Sequence, residues 1–491
     1  MNLLIRNLII TTVIAILVVW LVGCRSDISE KLPITTTSDE ALENYLKGRD
    51  YGERLRISEA QHYLNLALEE DPDFARAHLE ITQVMQNSRR ALEHIREAAA
   101  LRDKVSPGER LLIDFFVAGS NNDVAGQYSA LDKLVEMYPK DERVQELLGN
   151  YYYSQQEYRK AIDQFEKVHE LAPSFSQAYN MEGYAERALG NFNKAEKALQ
   201  RYIELIPDDP NPYDSYADLL MKMGQFDSSI VYYSRALEVD SSFSASYTGV
   251  ASNLMLLGRY DDARAEASVL FDRSDMSAYK REALRMIAVT YIDQQNYTDA
   301  IKTLHQRYEI TEETQDYPAQ INDLFTIGTV LLESGQVTEA AKTFQEASRL
   351  SRRSDLSKPL QEGVERRYLF NMARVALARK DLATAQARFA SYSEQIMARK
   401  VPAEIRTVHL LAGIIALYER DYDKAVKELS QTDRQSPYAL FQMGLALQGR
   451  GELDNARKLF KEVSEYNQPG SLEYALVRER AMNLAVSLLV Q

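Results

Sequence analysis

Apolar residues in this chain recur at helical intervals, and the intervals themselves recur. Leu148, Gly149 and Tyr152 fall at i, i+1 and i+4, and Ala161, Phe165 and Val168 at i, i+4 and i+7. Each set is the stripe of an amphipathic helix. The polar stretch Ser154 to Glu157 separates them, so the pattern predicts helix, tight turn, helix. It returns every 34 residues between Glu142 and Leu270. Gly149, Gly183, Ala217 and Ala251 keep that spacing, as do Ala161, Ala195, Ser229 and Ala263, and Phe165, Leu199, Tyr233 and Ala267. A period of this length predicts a stack of small units that bury their apolar faces on one another.

The small residues have a physical reason. Helix axes about 8–10 Å apart need reduced side chains where they cross, which points to Gly149 and Ala161 as the pair that permits approach. Gly190, Gly224 and Gly258 fall in the break between helices, where a residue tolerating positive φ ends the first helix. Pro139, Pro173 and Pro207 follow the second helices, with Ser241 at the next step, and each proline disfavours helical continuation.

Leu148-Gly149, Tyr152, Ala161, Phe165, Pro173 and their 34-spaced counterparts resemble the tetratricopeptide repeat family. The tryptophan frequent early in that family's first helix is replaced by Gln145, Tyr179, Tyr213 and Tyr247. The resemblance implies an all-α solenoid, a right-handed superhelix of about a dozen helix pairs. It also implies a concave face, lined by the first helices, that contacts ligands. Here the exposed positions of that face are expected at Asn150, Tyr153, Asn180, Tyr184, Arg187, Asp214, Asp218 and Lys222. Relatives that clamp a peptide's terminal carboxylate use lysines and asparagines there. The asparagines are present and most of the lysines are not, so a mixed polar and tyrosine groove is expected instead. Tyr152, Tyr213 and Tyr233 are expected in the repeat core.

Outside the regular block (141–275) the pattern loosens. Residues 39–140 read as divergent helical pairs, with Ala60, Leu64 and Ala67 as one second-helix stripe. Ser106-Pro107-Gly108-Glu109 reads as a capped helix start. Residues 276–470 carry divergent repeats whose second-helix alanines, Ala300, Ala340, Ala385, Ala425 and Ala456, are spaced by 31 to 45 residues. Longer helices or loops near 311–318 and 351–363 account for the insertions. Residues 471–491 read as a lone helix covering the terminal unit's apolar face.

The amino terminus is different in kind. Arg6 precedes an almost wholly apolar run from Leu8 to Gly23, short for a membrane span and suited to a secretory signal. It ends in Leu21-Val22-Gly23-Cys24, which resembles the lipobox of bacterial prolipoproteins. The resemblance implies removal of residues 1–23 and lipidation of Cys24, the chain's one cysteine. Residues 24–38, with Pro33 and Thr35 to Thr37, then read as a flexible tether. The expected location is the bacterial cell envelope, lipid-anchored and facing the periplasm. Arg25 in place of a retention aspartate favours the outer membrane over the inner.

Seventy-two acidic against 58 basic residues give a net charge of −14 with no basic run, which argues against a nucleic-acid partner. His62, His78, His94, His169, His305 and His409 form no zinc-binding spacing. No nucleophile elbow is present. Gly449-Arg450-Gly451 lies where the repeat puts an inter-helix turn and lacks a following Gly-Lys-Ser/Thr. No catalytic, metal or cofactor site is therefore expected. The sequence points to a non-catalytic scaffold holding a protein or extended peptide in its groove and the membrane through its lipid. Two alternatives are a polysaccharide assembly component gripping a glycan or synthase, and an enzyme with an unrecognised site.

Overall fold

A computed structural model describes residues 30–85, 87–467 and 470–489. The expected signal sequence, Cys24 and the first residues of the expected tether lie outside the described residues. Within them the chain is all helical, without strands, and forms twelve helical hairpins and a last helix. The first three hairpins are α1 (Asp39–Glu53) with α2 (Ile57–Glu70), α3 (Ala75–Val84) with α4 (Ser88–Ala100), and α5 (Pro107–Ser120) with α6 (Val124–Met137). The regular block holds α7 (Glu142–Ser154) with α8 (Tyr158–Leu171), α9 (Ser176–Ala188) with α10 (Phe192–Leu205), α11 (Pro210–Lys222) with α12 (Phe226–Val239), and α13 (Ser244–Leu256) with α14 (Tyr260–Arg273). Then come α15 (Ser277–Asp293) with α16 (Tyr297–Glu313), α17 (Tyr317–Glu333) with α18 (Val337–Arg353), and α19 (Lys358–Ala378) with α20 (Leu382–Arg399). The final elements are α21 (Pro402–Glu419) with α22 (Tyr422–Leu429), α23 (Pro437–Gly449) with α24 (Leu453–Ser464), and α25 (Leu472–Ser487).

The packing inside each hairpin follows one rule. A β-carbon added at Gly149 would stand 2.5 Å from the Phe165 ring, and one at Gly183 would stand 2.7 Å from Leu199. The same clash recurs between Gly48 and Leu64, Gly328 and Phe344, Gly413 and Leu429, and Gly444 and Phe460. The close approach therefore couples the small residue to the large one sixteen positions on, and not to Ala161 as the stripe suggested. The turns match expectation: Gly190, Gly224 and Gly258 have φ of +77, +76 and +76°. Gln156 takes the same conformation at φ +63° without glycine.

The residues standing at the family's tryptophan position have a role the pattern did not reveal. Side-chain donors of Gln145, Tyr179, Tyr213 and Tyr247 each reach the carbonyl six residues earlier, at Pro139, Pro173, Pro207 and Ser241, over 2.9 to 3.3 Å. They tie down the carbonyl of the inter-hairpin turn. Tyr213, expected in the core, is instead at the surface making this bond, whereas Tyr233 is buried. The later insertions are helical extension: α15 to α18 run 17 residues each and α19 runs 21, against 13 or 14 in the regular block.

Residues 30–38 depart from the flexible tether expected there, because buried carboxylates on the hairpin ends accept their backbone and hydroxyl donors. The Leu32 N–H donates to Asp141 Oδ2 at 2.7 Å and the Thr35 N–H to Glu109 Oε1 at 2.8 Å. Thr36 Oγ1 and the Thr37 N–H donate to Asp71 Oδ2 at 2.5 and 3.1 Å. Glu109 does this while closing the capping box with Ser106 that its spacing predicts. The segment is a strap across the first hairpins.

The array also winds back on itself. Inner turns of early hairpins meet junctions six or seven hairpins later. The Ser88 N–H donates to Asp316 Oδ2 at 2.9 Å, Ser357 Oγ to Asn121 Oδ1 at 2.9 Å and Arg399 Nη2 to the Asn122 carbonyl at 2.6 Å. Gln156 Nε2 donates to Asp433 Oδ2 at 2.8 Å and Gln435 Nε2 to the Ala188 carbonyl at 3.1 Å. Successive coils thus touch along a polar seam. The last helix covers α24, as expected, with Tyr474, Val477 and Ala481 fully buried. It also reaches into the middle of the chain, where Arg478 grips Asp293 of α15 at 2.9 and 2.7 Å and Tyr260 Oη donates to the same carboxylate at 2.9 Å.

Candidate partner-binding groove

First helices turn one face inward, and the 34-residue register sets which residues share it. Glu146, Asn180 and Asp214 stand one repeat apart, as do Asn150, Tyr184 and Asp218. Six of the eight expected groove residues, Tyr153, Tyr184, Arg187, Asp214, Asp218 and Lys222, interact with one another across α7, α9 and α11. The Arg187 guanidinium is 3.5 Å from Asp218 Oδ2 and lies 4.6 Å above the Tyr184 ring. Tyr184 Oη donates to Ser215 Oγ at 3.2 Å and to Asp218 Oδ2 at 3.4 Å, and Tyr233 Oη donates to the other oxygen of Asp218. Tyr153 stands edge-on to Tyr158, with ring centroids 5.4 Å apart.

None of the eight is fully exposed, and two of them are buried. Asn180 and Asp214 are only 6% and 7% exposed, Asp214 being covered by Ser246 of the next first helix. Burial, with Asp218 beside it, pushes the Asp214 carboxyl up to about 8, and Ser246 Oγ donates to it at 2.7 Å. Burial, with Arg187 nearby, pushes Lys222 down to about 8. Lys222 Nζ donates to the Tyr466 carbonyl at 2.5 Å and sits 3.4 Å from the centre of that residue's ring. Asn180 Oδ1 is buried with no donor.

Asn150, the eighth residue, belongs to a different place. It donates to Glu146 Oε1 at 3.0 Å on the wall of a cavity of about 530 Å³ formed by the first hairpins. Arg49, Arg76, Arg143, Glu53, Glu80 and Glu146 supply its charged lining, and Leu32 and Ile34 of the strap form part of its wall. Arg143 Nε is 3.0 Å from Glu53 Oε1, and Arg49 Nε is 3.7 Å from the same atom. Tyr45 Oη donates to Glu80 at 3.4 Å. Burial, reinforced by Glu53 and Glu80, pushes Glu146 up to about 7, so the cavity holds an acid poised near neutrality. The sequence does carry a signal for these residues, since Arg143, Glu146 and Asn150 recur at helical spacing on the inner face. It was obscured by the irregular repeats that supply the partners.

The histidines remain scattered apart from one pair. His78 Nδ1 and His94 Nδ1 are 2.8 Å apart, and His78 Nε2 contacts the Pro72 carbonyl at 3.0 Å. Burial, then His78, holds the His94 pKa down. Sixteen residues separate the two, a spacing that brings partners together only across a hairpin. Among the described residues no group of three or more histidine, cysteine or acidic side chains could hold a metal. No described helix is long and apolar enough to cross a membrane.

Hairpins stacked with their first helices inward define an α-solenoid. Tetratricopeptide repeat profiles match residues 129–210, 217–274, 279–353 and 438–467, so the chain carries tetratricopeptide repeats over those stretches. No curated protein matches it. Two crystal structures of MamA resemble part of the chain, at 22% and 21% identity. The alignments cover 33% and 32% of this chain and 91% and 87% of the other, both with a TM-score of 0.28. Arrays of this class generally bind protein partners.

Proposed function

We propose that the protein is a non-catalytic scaffold of the bacterial cell envelope, anchored through lipid on Cys24 and facing the periplasm, with the outer membrane favoured. It holds an extended segment of a partner protein against the inner face of its first hairpins. The observation that carries this reading is the cavity of about 530 Å³, walled in part by the strap. The strap begins a few residues after Cys24, so a lipid there holds the cavity beside a bilayer. More than one acyl chain gives a stable anchor, at about 0.8 kcal/mol per buried methylene.

The test compares wild-type protein with Glu146→Gln and Asn150→Ala in capture from envelope extracts. A partner is expected to be retained by wild type and lost several-fold by the variants. Equal capture by all three, or none by any, would remove the cavity from the function. Labelled palmitate is expected to incorporate into wild type and not into Cys24→Ser. Failure to label wild type overturns the anchor.

A further inference from the structure

On the side of the second helices the array carries a pocket that the groove does not use. It measures about 510 Å³ and lies between the second helices α14 and α16, with α15 as its floor. α14 and α16 start at equivalent tyrosines, Tyr260 and Tyr297, but run 14 and 17 residues. The last turn of α16 therefore extends about 4.5 Å further than its neighbour. Phe271 of α14, Leu284 and Ile287 of α15 and Ile310 of α16 form the apolar lining, and all but Leu284 are partly exposed. On α16 the lining positions Gln306, Glu309, Ile310 and Glu313 fall at i, i+3, i+4 and i+7, one face of the helix.

The rim is acidic and not neutralised. Asp272, Glu309 and Glu313 are exposed and have no ion-pair partner among the described residues. The repeat register shows what has been lost. The position of Asp272 holds Glu204 and Glu238 two repeats and one repeat earlier. Each of those pairs with an arginine three residues before it, Arg201 at 2.9 Å and Arg235 at 2.8 Å. One repeat on, Val269 stands in the arginine's place and Asp272 is left without a counter-ion. On α16 the residue three before Glu309 is Gln306, again uncharged. Arg273, next to Asp272, donates instead to Tyr247 Oη at 2.9 Å, and Lys280 stands 5.6 Å from the centre of the Phe271 ring.

We propose that this pocket is a second docking surface, away from the groove, for a basic amphipathic helix of a partner protein. An apolar floor open to water and ringed by free carboxylates complements a helix whose apolar ridge is flanked by lysine or arginine. Apolar side chains one turn apart enter between α14 and α16, and the cations beside them pair with Asp272, Glu309 and Glu313. The same carboxylates repel an anionic lipid surface, which sets a protein helix above a membrane as the occupant.

The probe is a fluorescein-labelled helical peptide of about 15 residues, built from leucine and lysine with leucines at i, i+3, i+4 and i+7. It is titrated by anisotropy into the full chain, beside a second probe with glutamate at each lysine. The lysine probe is expected to bind and the glutamate probe to fail. Replacing the rim acids together (Asp272→Asn, Glu309→Gln, Glu313→Gln) is expected to weaken binding about tenfold. These side chains are exposed, so the fold is kept. Asp163→Asn, Glu166→Gln and Asp227→Asn together remove the same charge from exposed positions on α8 and α12, and are expected to change binding less than about twofold. Ile310→Ala, with the rim intact, is expected to weaken it about fivefold. Equal losses from the two sets of acids show that the probe reads net charge alone, and overturn the docking surface. Equal binding of the two probes, or full affinity in Ile310→Ala, overturns it as well.

Discussion

The first hairpins and the central ones use the same repeat and meet opposite ends. Through α1 to α7 the inner face opens into a charged cavity. Through α9 to α13 the equivalent helices meet loops that arrive from more than two hundred residues later. Repeat chemistry does not separate them, since Asn150 and Asp218 hold equivalent positions two repeats apart. The difference comes from where the coil closes. Solenoid stability is ordinarily a sum over neighbours; here a seam couples distant units, by turn contacts alone at the first hairpins and by the buried Arg478–Asp293 pair as well in the central stretch.

The sharpest way to break that difference is at Asp293. It is fully buried and held by Arg478 and Tyr260, and truncating one member of a buried pair costs about 3–5 kcal/mol. Asp293→Ala is expected to lower the urea midpoint by that amount and to split unfolding into two transitions, the first hairpins retaining theirs. A single shifted transition would show that the halves are not separately held. A smaller effect comes from the crossing points. Gly183→Ala puts a methyl group 2.7 Å from Leu199, and such overpacking costs about 1–3 kcal/mol, outweighing a helix-propensity gain of about 1 kcal/mol. Gly190→Ala meets nothing within 4 Å but must hold φ +77°, at about 1–2 kcal/mol. Thermal melts of the two variants therefore separate a packing cost from a backbone cost within one hairpin.

The fold was legible because its causes are local. Small residues, turn glycines and prolines each answer to neighbours within one hairpin, so spacing alone exposes them. The pairing of Gly149 with Phe165 was legible too, a glycine and a large residue sixteen apart in six of the hairpins, but the smaller Ala161 looked the more natural partner. The seam was not legible. Nothing near Lys222 signals that Tyr466 lies against it, because that contact depends on the accumulated rotation of six hairpins. The strap misled for a related reason: Thr35, Thr36 and Thr37 look like linker until Glu109 and Asp71, far along the chain, supply their acceptors. The face that the candidate groove residues share was legible by register, and their burial was not, since register says which face a residue is on and not what comes to lie over it.

The smallest expected effect tests the open end alone. Burial, with Glu53 and Glu80 nearby, raises Glu146 from 4.5 to about 7 in the folded chain. Between these values the folded state keeps a proton that the unfolded state has lost, so stability falls as pH rises across the window and levels above it. Glu146→Gln mimics the protonated acid and carries no such slope. Urea denaturation at pH 5 and pH 8 is expected to show the variant gaining on wild type by on the order of 1–2 kcal/mol at the higher pH, allowing for solvent at the cavity mouth. Asp214, raised from 3.8 to about 8, supplies a slope in the central stretch that overlaps this window and runs on to about pH 8, and Glu146→Gln leaves it intact. A slope between pH 7 and 8 that survives Glu146→Gln and disappears in Asp214→Asn would assign that upper part of the profile to the central stretch. If Glu146→Gln leaves the lower window unchanged, the cavity acid is ionised throughout, and the positive charge that holds it so must come from Arg49, Arg76 or Arg143 across the cavity.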